Sequence, residues 1–139
     1  MKKTIIISAL MLISAALCAQ HRLTIQVNGI TKVKGQLMVA VYDEDNFLRK
    51  PVAGTIVKVD SQQMTVVIDS LSAGIYAISA FQDENDNGKL DANAFGMPVE
   101  PYAFSNNAKG EYGPPKFKDC AFKVEEDTSI TIDFAFFQI

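Results

Sequence analysis

Five segments of the chain alternate apolar and polar residues with a period of two, and this alternation most constrains the fold. In HRLTIQV, Leu23, Ile25 and Val27 alternate with Thr24 and Gln26. In GQLMVAVYD, Leu37, Val39 and Val41 share a face. In MTVVIDS the set is Met64, Val66 and Ile68, and in GIYAISAFQD it is Tyr76, Ile78 and Ala80. In SITIDFAFF it is Ile130, Ile132, Phe134 and Phe136. Strict alternation reads as half-buried strand, with one face inward and one toward solvent. TIVKVD (55–60) and CAFKVEE (120–126) are shorter candidates, which brings the expectation to about seven strands. No segment keeps an i, i+3, i+4 apolar pattern long enough for a core helix, and EDNFLRK (44–50) offers one helical turn at most. Short strands punctuated by Gly29, Gly35, Gly54 and Gly74 predict an all-β domain, a single antiparallel β-sandwich.

The first residues are of another kind. Lys2 and Lys3 precede an apolar run from Ile5 to Leu17, and the small residues Cys18 and Ala19 follow. This is the pattern of a secretory signal, removed after Ala19 or alternatively after Cys18. The expectation is therefore residues 1–19 as signal and 20–139 as one exported domain, in the periplasm, the cell envelope or outside the cell. Lipid attachment at Cys18 is disfavoured, because that signal wants a small residue where Leu17 stands. No later apolar run reaches the roughly 18 residues of a membrane span.

Removing Lys2 and Lys3 shifts the formal charge from -3 to -5. A mildly acidic domain lacks the basic footprint of a nucleic-acid binder. Cys120 is then left without a partner for a disulfide. It reads as a small buried hydrophobe starting a strand. His21, the one histidine, lies beside the cleavage site and is a poor activating partner for a nucleophilic thiol.

Residues 83 to 119 break the rhythm. They hold four of the five prolines and four of the eight glycines. They also hold Phe95, Tyr102, Phe104, Tyr112 and Phe117, which argues against disorder. A structureless stretch of this length is uncommon in a compact domain. We expect a long ordered loop, pinned to the sandwich by its aromatic side chains.

The loop opens with DENDNGKLD, residues 83–91. A calcium loop needs hard oxygen ligands at alternate positions of a tight curl, with glycine to permit the turn. With Asp83 at position one, Asn85 is third, Asn87 fifth, Gly88 sixth, Lys89 seventh through its backbone carbonyl, and Asp91 ninth. The spacing resembles the D-x-[DN]-x-[DN]-G loop of EF-hand and dockerin-type sites. Position twelve, where a bidentate Glu belongs, is Ala94, and no helices flank the loop. The EF-hand fold is thereby rejected, while a calcium loop between strands stays open, with weak affinity. The competing reading is a metal-free turn, since Asn-Gly and Asx residues make tight polar turns without an ion. Zinc lacks histidine or cysteine nearby.

Together, LSAGIYAISAF (71–81), DENDNGKLD, FGMPVEPYAFSNNA and GPPKF form a compound pattern that resembles the DUF2141 family. The likeness extends to GQLMVAVYD and so covers most of the chain after the signal. LSAGIYAISAF also resembles the glycine-turn-to-strand step of transthyretin-like sandwiches. The family resemblance implies a small exported bacterial protein with a transthyretin-like or immunoglobulin-like sandwich. It supplies no activity, ligand or catalytic residue. Cys120 departs from the alanine or other small residue expected there.

Within the second half of that pattern, Glu100, Tyr102, Ser105, Asn106 and Asn107 are candidates to line a groove for a glycan, peptide or protein. The competing reading has the same residues folding the loop. No G-x-S-x-G, H-E-x-x-H, C-x-x-C or phosphate-loop pattern occurs. A carboxylate pair drawn from Asp83, Asp91 and Glu100 is a remote hydrolase alternative. The expected function is a non-catalytic accessory or binding domain of unknown partner, with calcium as the one candidate cofactor. The alternative is a metal-free carbohydrate- or peptide-binding module acting through residues 95–117.

Overall fold

The computed structural model describes residues 19–134. Residues 1–18 of the expected signal, and Phe136 of the last alternating segment, lie outside them. Eight strands are present among the described residues: β1 (Gln20–Asn28), β2 (Gln36–Tyr42), β3 (Ala53–Lys58), β4 (Met64–Ser72), β5 (Gly74–Asp83), β6 (Tyr102–Phe104), β7 (Phe122–Val124) and β8 (Thr128–Asp133). A four-residue helix, α1 (Phe117–Cys120), precedes β7.

The strands form two sheets. One runs β4–β1–β8; the other runs β3–β2–β5–β6, with β7 also on β5. The chain is mostly β, as the alternation predicts, but not wholly antiparallel. β8 pairs in parallel with β1, from Leu23 against Thr128 to Asn28 against Asp133. Alternation fixes which residues face inward and leaves strand direction open, so this pairing could not be read from the sequence.

The inward faces are those the alternation marks. Leu23, Ile25 and Val27 of β1, Leu37, Val39 and Val41 of β2, Val66 and Ile68 of β4, Tyr76, Ile78 and Ala80 of β5, and Ile132 of β8 meet in one cluster. Both sheets therefore contribute to a single core.

A second, smaller cluster lies around Ala77, whose side chain points opposite to Tyr76 and Ile78. Phe104, Cys120, Phe47 and Phe117 pack there. Phe47 meets Tyr42, Phe104 and Phe117 edge-on, with ring centroids 5.6–6.5 Å apart. The 44–50 segment delivers Phe47 as a turn. The Asp43 carboxylate accepts from Asn46 N at 3.0 Å, and Leu48 ends the curl at φ 57°.

Two expectations need correction. Cys120 is buried, but it closes α1 and the next strand begins at Phe122. The long loop contains a strand, β6, paired with Ser79–Phe81 of β5. Three residues are too few to show a period.

Candidate functional site

Asp83 ends β5 fully buried, and it organises the loop that follows. Its Oδ2 accepts from Gly88 N at 2.7 Å and from Gln36 Nε2 at 2.9 Å. Its Oδ1 accepts from Asn87 N at 3.2 Å. Asp86 at φ 56° and Gly88 at φ 77° give the curl its left-handed steps. Burial alone would raise the Asp83 carboxyl, but bonds from Gln36, Gly88, Asn87 and Asn85 outweigh it and hold the pKa below the ordinary value.

The other candidate ligands gather on Asp91. Asn85 Nδ2 donates to its Oδ2 at 2.7 Å. Asn87 Nδ2 donates to Oδ1 at 2.7 Å and to Oδ2 at 2.9 Å. The amide oxygens of these asparagines face the backbone: Asn85 Oδ1 accepts from Asn87 N at 3.3 Å, and Asn87 Oδ1 from Lys89 N at 3.0 Å. Asn85, Asn87 and Asp91 are thus brought side by side, with Asp83 beneath through Asn87 and Gly88. Half a turn about χ2 of either asparagine would exchange nitrogen for oxygen toward Asp91. That exchange costs one backbone bond per residue. Among the described residues, no three His, Cys, Asp or Glu side chains cluster as metal holders. Any cation here would rely on two carboxylates and neutral oxygens.

Glu100 proves to be part of this loop's frame. It is 4 % exposed, and its two oxygens accept from Glu84 N at 3.0 Å and Asp91 N at 2.9 Å. One side chain therefore clamps both ends of the loop. Glu84 itself reaches Lys34 at 3.3 Å and Lys32 at 3.6 Å. Sequence reasoning missed Gln36, whose side chain reaches Asp83 because their backbones are register partners.

The remaining groove candidates separate. Ser105 is fully buried; its Oγ accepts from Ile78 N at 2.9 Å and donates to the Cys120 carbonyl at 2.5 Å. Ile78 lies between the part of β5 that pairs with β7 and the part that pairs with β6, so the hydroxyl replaces a missing ladder bond. Asn106 and Asn107 sit at φ 61° and 49°. Asn106 Nδ2 donates to the carbonyls of Asp119 and Ala121, at 3.2 and 2.9 Å. Asn107 Oδ1 accepts from Asp133 N at 3.1 Å, which ties this turn to β8 in the other sheet. Tyr102 and Asn107 line a cleft of about 140 Å³ together with Lys109, Pro115 and Asp133. Glu100, Ser105 and Asn106 do not line it.

The aromatic residues also divide. Phe104 is buried, and Phe117 and Tyr102 pack against the second cluster. Phe95 and Tyr112 are fully or nearly fully exposed, and so pin nothing. Phe95 sits at the tip of a Gly-containing turn whose backbone is held without its side chain.

No curated protein and no solved structure matches the chain. A family model does match, over residues 25–132, from within β1 to within β8. Its description is "Uncharacterized protein conserved in bacteria (DUF2141)", and the chain belongs to that family.

Proposed function

We propose that the chain is an exported, non-catalytic binding or accessory domain, built as a transthyretin-like or immunoglobulin-like β-sandwich, whose 83–91 loop takes a structural calcium ion. The sandwich reading is supported by two sheets that share one core. The calcium reading rests on one observation: the Asn85 and Asn87 side chains gather on Asp91, their amide nitrogens 2.7–2.9 Å from its oxygens, beside a buried, hydrogen-bonded Asp83. The ligands would be Asp83, Asn85, Asn87, the Lys89 carbonyl and Asp91. Binding would turn the two amides and surrender their backbone bonds, which keeps the affinity low.

A non-catalytic role is supported by the state of the carboxylates. The general acid of a carboxylate pair needs a raised pKa, and Asp83, which is lowered, does not suit that role. Both oxygens of Glu100 are occupied by backbone amides.

The test is thermal unfolding of the chain from Gln20 in chelator, then in calcium up to about 10 mM, with magnesium as control. A weak site half-saturated near 1 mM gains about 1.4 kcal/mol in 10 mM calcium. That is a rise of about 5 °C for a domain of this size. The rise should vanish in Asp91→Ala. The absence of any shift at 10 mM refutes the calcium reading.

A second reading is favoured by the cleft beside Tyr102, Asn107, Lys109 and Asp133. There a metal-free domain would take a glycan unit or a peptide side chain through the 95–117 segment. Asn107→Ala and Tyr102→Ala would then abolish retention on a glycan or peptide array, whether or not calcium is present.

A further inference from the structure

We propose that the chain self-associates through its edge strand β3, which pairs antiparallel with β3 of a second copy about a two-fold axis at Ile56.

β3 ends the larger sheet, and among the described residues no strand lies beyond it. Its register with β2 runs from Gln36 against Lys58 to Val41 against Ala53. Val59 N donates to Gly35 O at 3.0 Å, which continues that register and marks it as a hydrogen-bonded pair. Bonded and non-bonded pairs alternate along an antiparallel ladder. Val57 and Thr55 therefore turn their backbone groups to β2, while Lys58, Ile56 and Gly54 turn theirs to the open side. These three residues are exposed, Ile56 by 57 %.

The other edges are guarded. β4 holds an extra residue at Asp69–Ser70 opposite Arg22, with Ser70 at φ 67°. β6 and β7 have three residues each. Asn107 takes the N–H of Asp133 at the end of β8. Bulges, short strands and covering segments are the ordinary protections of a sheet edge. β3 has no bulge and no proline, and its one charge, Lys58, stands at its end.

A row of open backbone N–H and C=O groups calls for another strand, and β3 complements itself. Opposed residues of an antiparallel pair share a face. With Ile56 on the axis, Ile56 meets Ile56, and Gly54 meets Lys58 on either side. Each of these pairs joins two open residues and exchanges two bonds. Centring on Thr55 would instead set Lys58 against Val52, whose N–H already serves the Val41 carbonyl. On the outer face Ile56 heads a row of register partners, Met38, Phe81 and Tyr102. The axis joins the two rows through an apolar cross-strand pair. Gly54 and its register partners Ala40 and Ser79 line a groove, which takes the apolar stem of Lys58 from the second copy. The two Lys58 charges stay about 13 Å apart along the strands. A six-residue edge covers less than the about 800 Å² per partner of an ordinary stable interface, so the dimer is weak and reversible.

The test is sedimentation equilibrium of the chain from Gln20, which carries every described strand, from about 1 μM to about 1 mM. It is run in chelator, so the calcium reading does not enter. The expected result is a monomer–dimer equilibrium that Ile56→Lys, with like charges opposed on the axis, weakens at least about tenfold. Its melting curve shows whether that variant folds. Two cysteine variants test the register independently. On the axis, Ile56→Cys places its Cα atoms about 5.5 Å apart, within disulfide reach, whereas those of Lys58→Cys are too distant. Cys120 is buried and out of reach. Mild oxidation should cross-link Ile56→Cys into a covalent dimer and leave Lys58→Cys and the parent chain monomeric on a non-reducing gel. A parent chain that stays monomeric to about 1 mM overturns the inference. So does a dimer that Ile56→Lys leaves equally strong, or cross-linking of Lys58→Cys as readily as of Ile56→Cys.

Discussion

Glu100 is the residue on which the loop's closure depends. Its oxygens are the acceptors for Glu84 N and Asp91 N, and it is buried. Glu100→Gln keeps the volume but turns an N–H₂ toward one of those amides. One buried donor is then unsatisfied, at a cost of about 1–3 kcal/mol. Urea unfolding should show that loss with an unchanged m-value; a change below about 0.5 kcal/mol would remove Glu100 from the frame. The sequence marks Glu100 as polar and flanked by prolines, which suggests a groove. Its burial depends on a contact sixteen residues away, which no local pattern reveals. Cys120 is the opposite case, since its role as a buried hydrophobe is legible in its isolation. Burial, together with the neighbouring Asp119 charge, pushes its thiol up to about 11. In the native protein the thiol should react with Ellman's reagent only as fast as the chain opens. Stoichiometric reaction within seconds at pH 8 would refute the buried placement.

The long strands are legible because a period of two needs only five or six residues to show, and each has them. β6 has three residues, and the 91–99 hairpin is closed by backbone bonds and by Asn93, so neither leaves a period. The parallel course of β8 is set by where the loop returns the chain. The loop that follows β5 was legible as an oxygen-rich curl, and it is one; the part that spacing could not supply is that its asparagines point nitrogen at Asp91. Asp83 gives this element an acid limit. Its folded pKa lies below its unfolded value of about 3.9. The stability it confers is therefore complete above about pH 4 and fades as the pH falls through the folded value. Asp83→Asn should flatten the acid side of a stability–pH profile measured in chelator, leaving a lower but more level curve below about pH 4. A variant profile parallel to that of the parent would show that another carboxylate sets the limit.

At the scale of the whole molecule, the 83–119 excursion is not an appendage. Glu100 fastens its start to the end of β5, Ser105 fills the gap between β6 and β7, and Asn107 crosses to β8 in the other sheet. Phe104 and Phe117 add a packed cluster on the outer face of the larger sheet. These anchors tie residues 100–107 of the excursion to both sheets, so that this part opens only by exposing strand edges. Small domains with such long-range ties unfold as one unit. Far-UV circular dichroism reports the sheets, while tyrosine fluorescence reports Tyr102 and Tyr112 in the excursion as well as Tyr42 and Tyr76 in the strands. The two urea transitions should coincide, in calcium and in chelator alike, because calcium would add to a frame that its own hydrogen bonds already close. Asn107→Ala is the sharpest probe of this. It loses the bond to Asp133 N and places a Cβ-bearing residue without asparagine's tolerance at φ 49°. The expected loss is about 1–2 kcal/mol, with both probes moving together. An early fluorescence transition in the parent chain would mean that the excursion opens separately from the sheets.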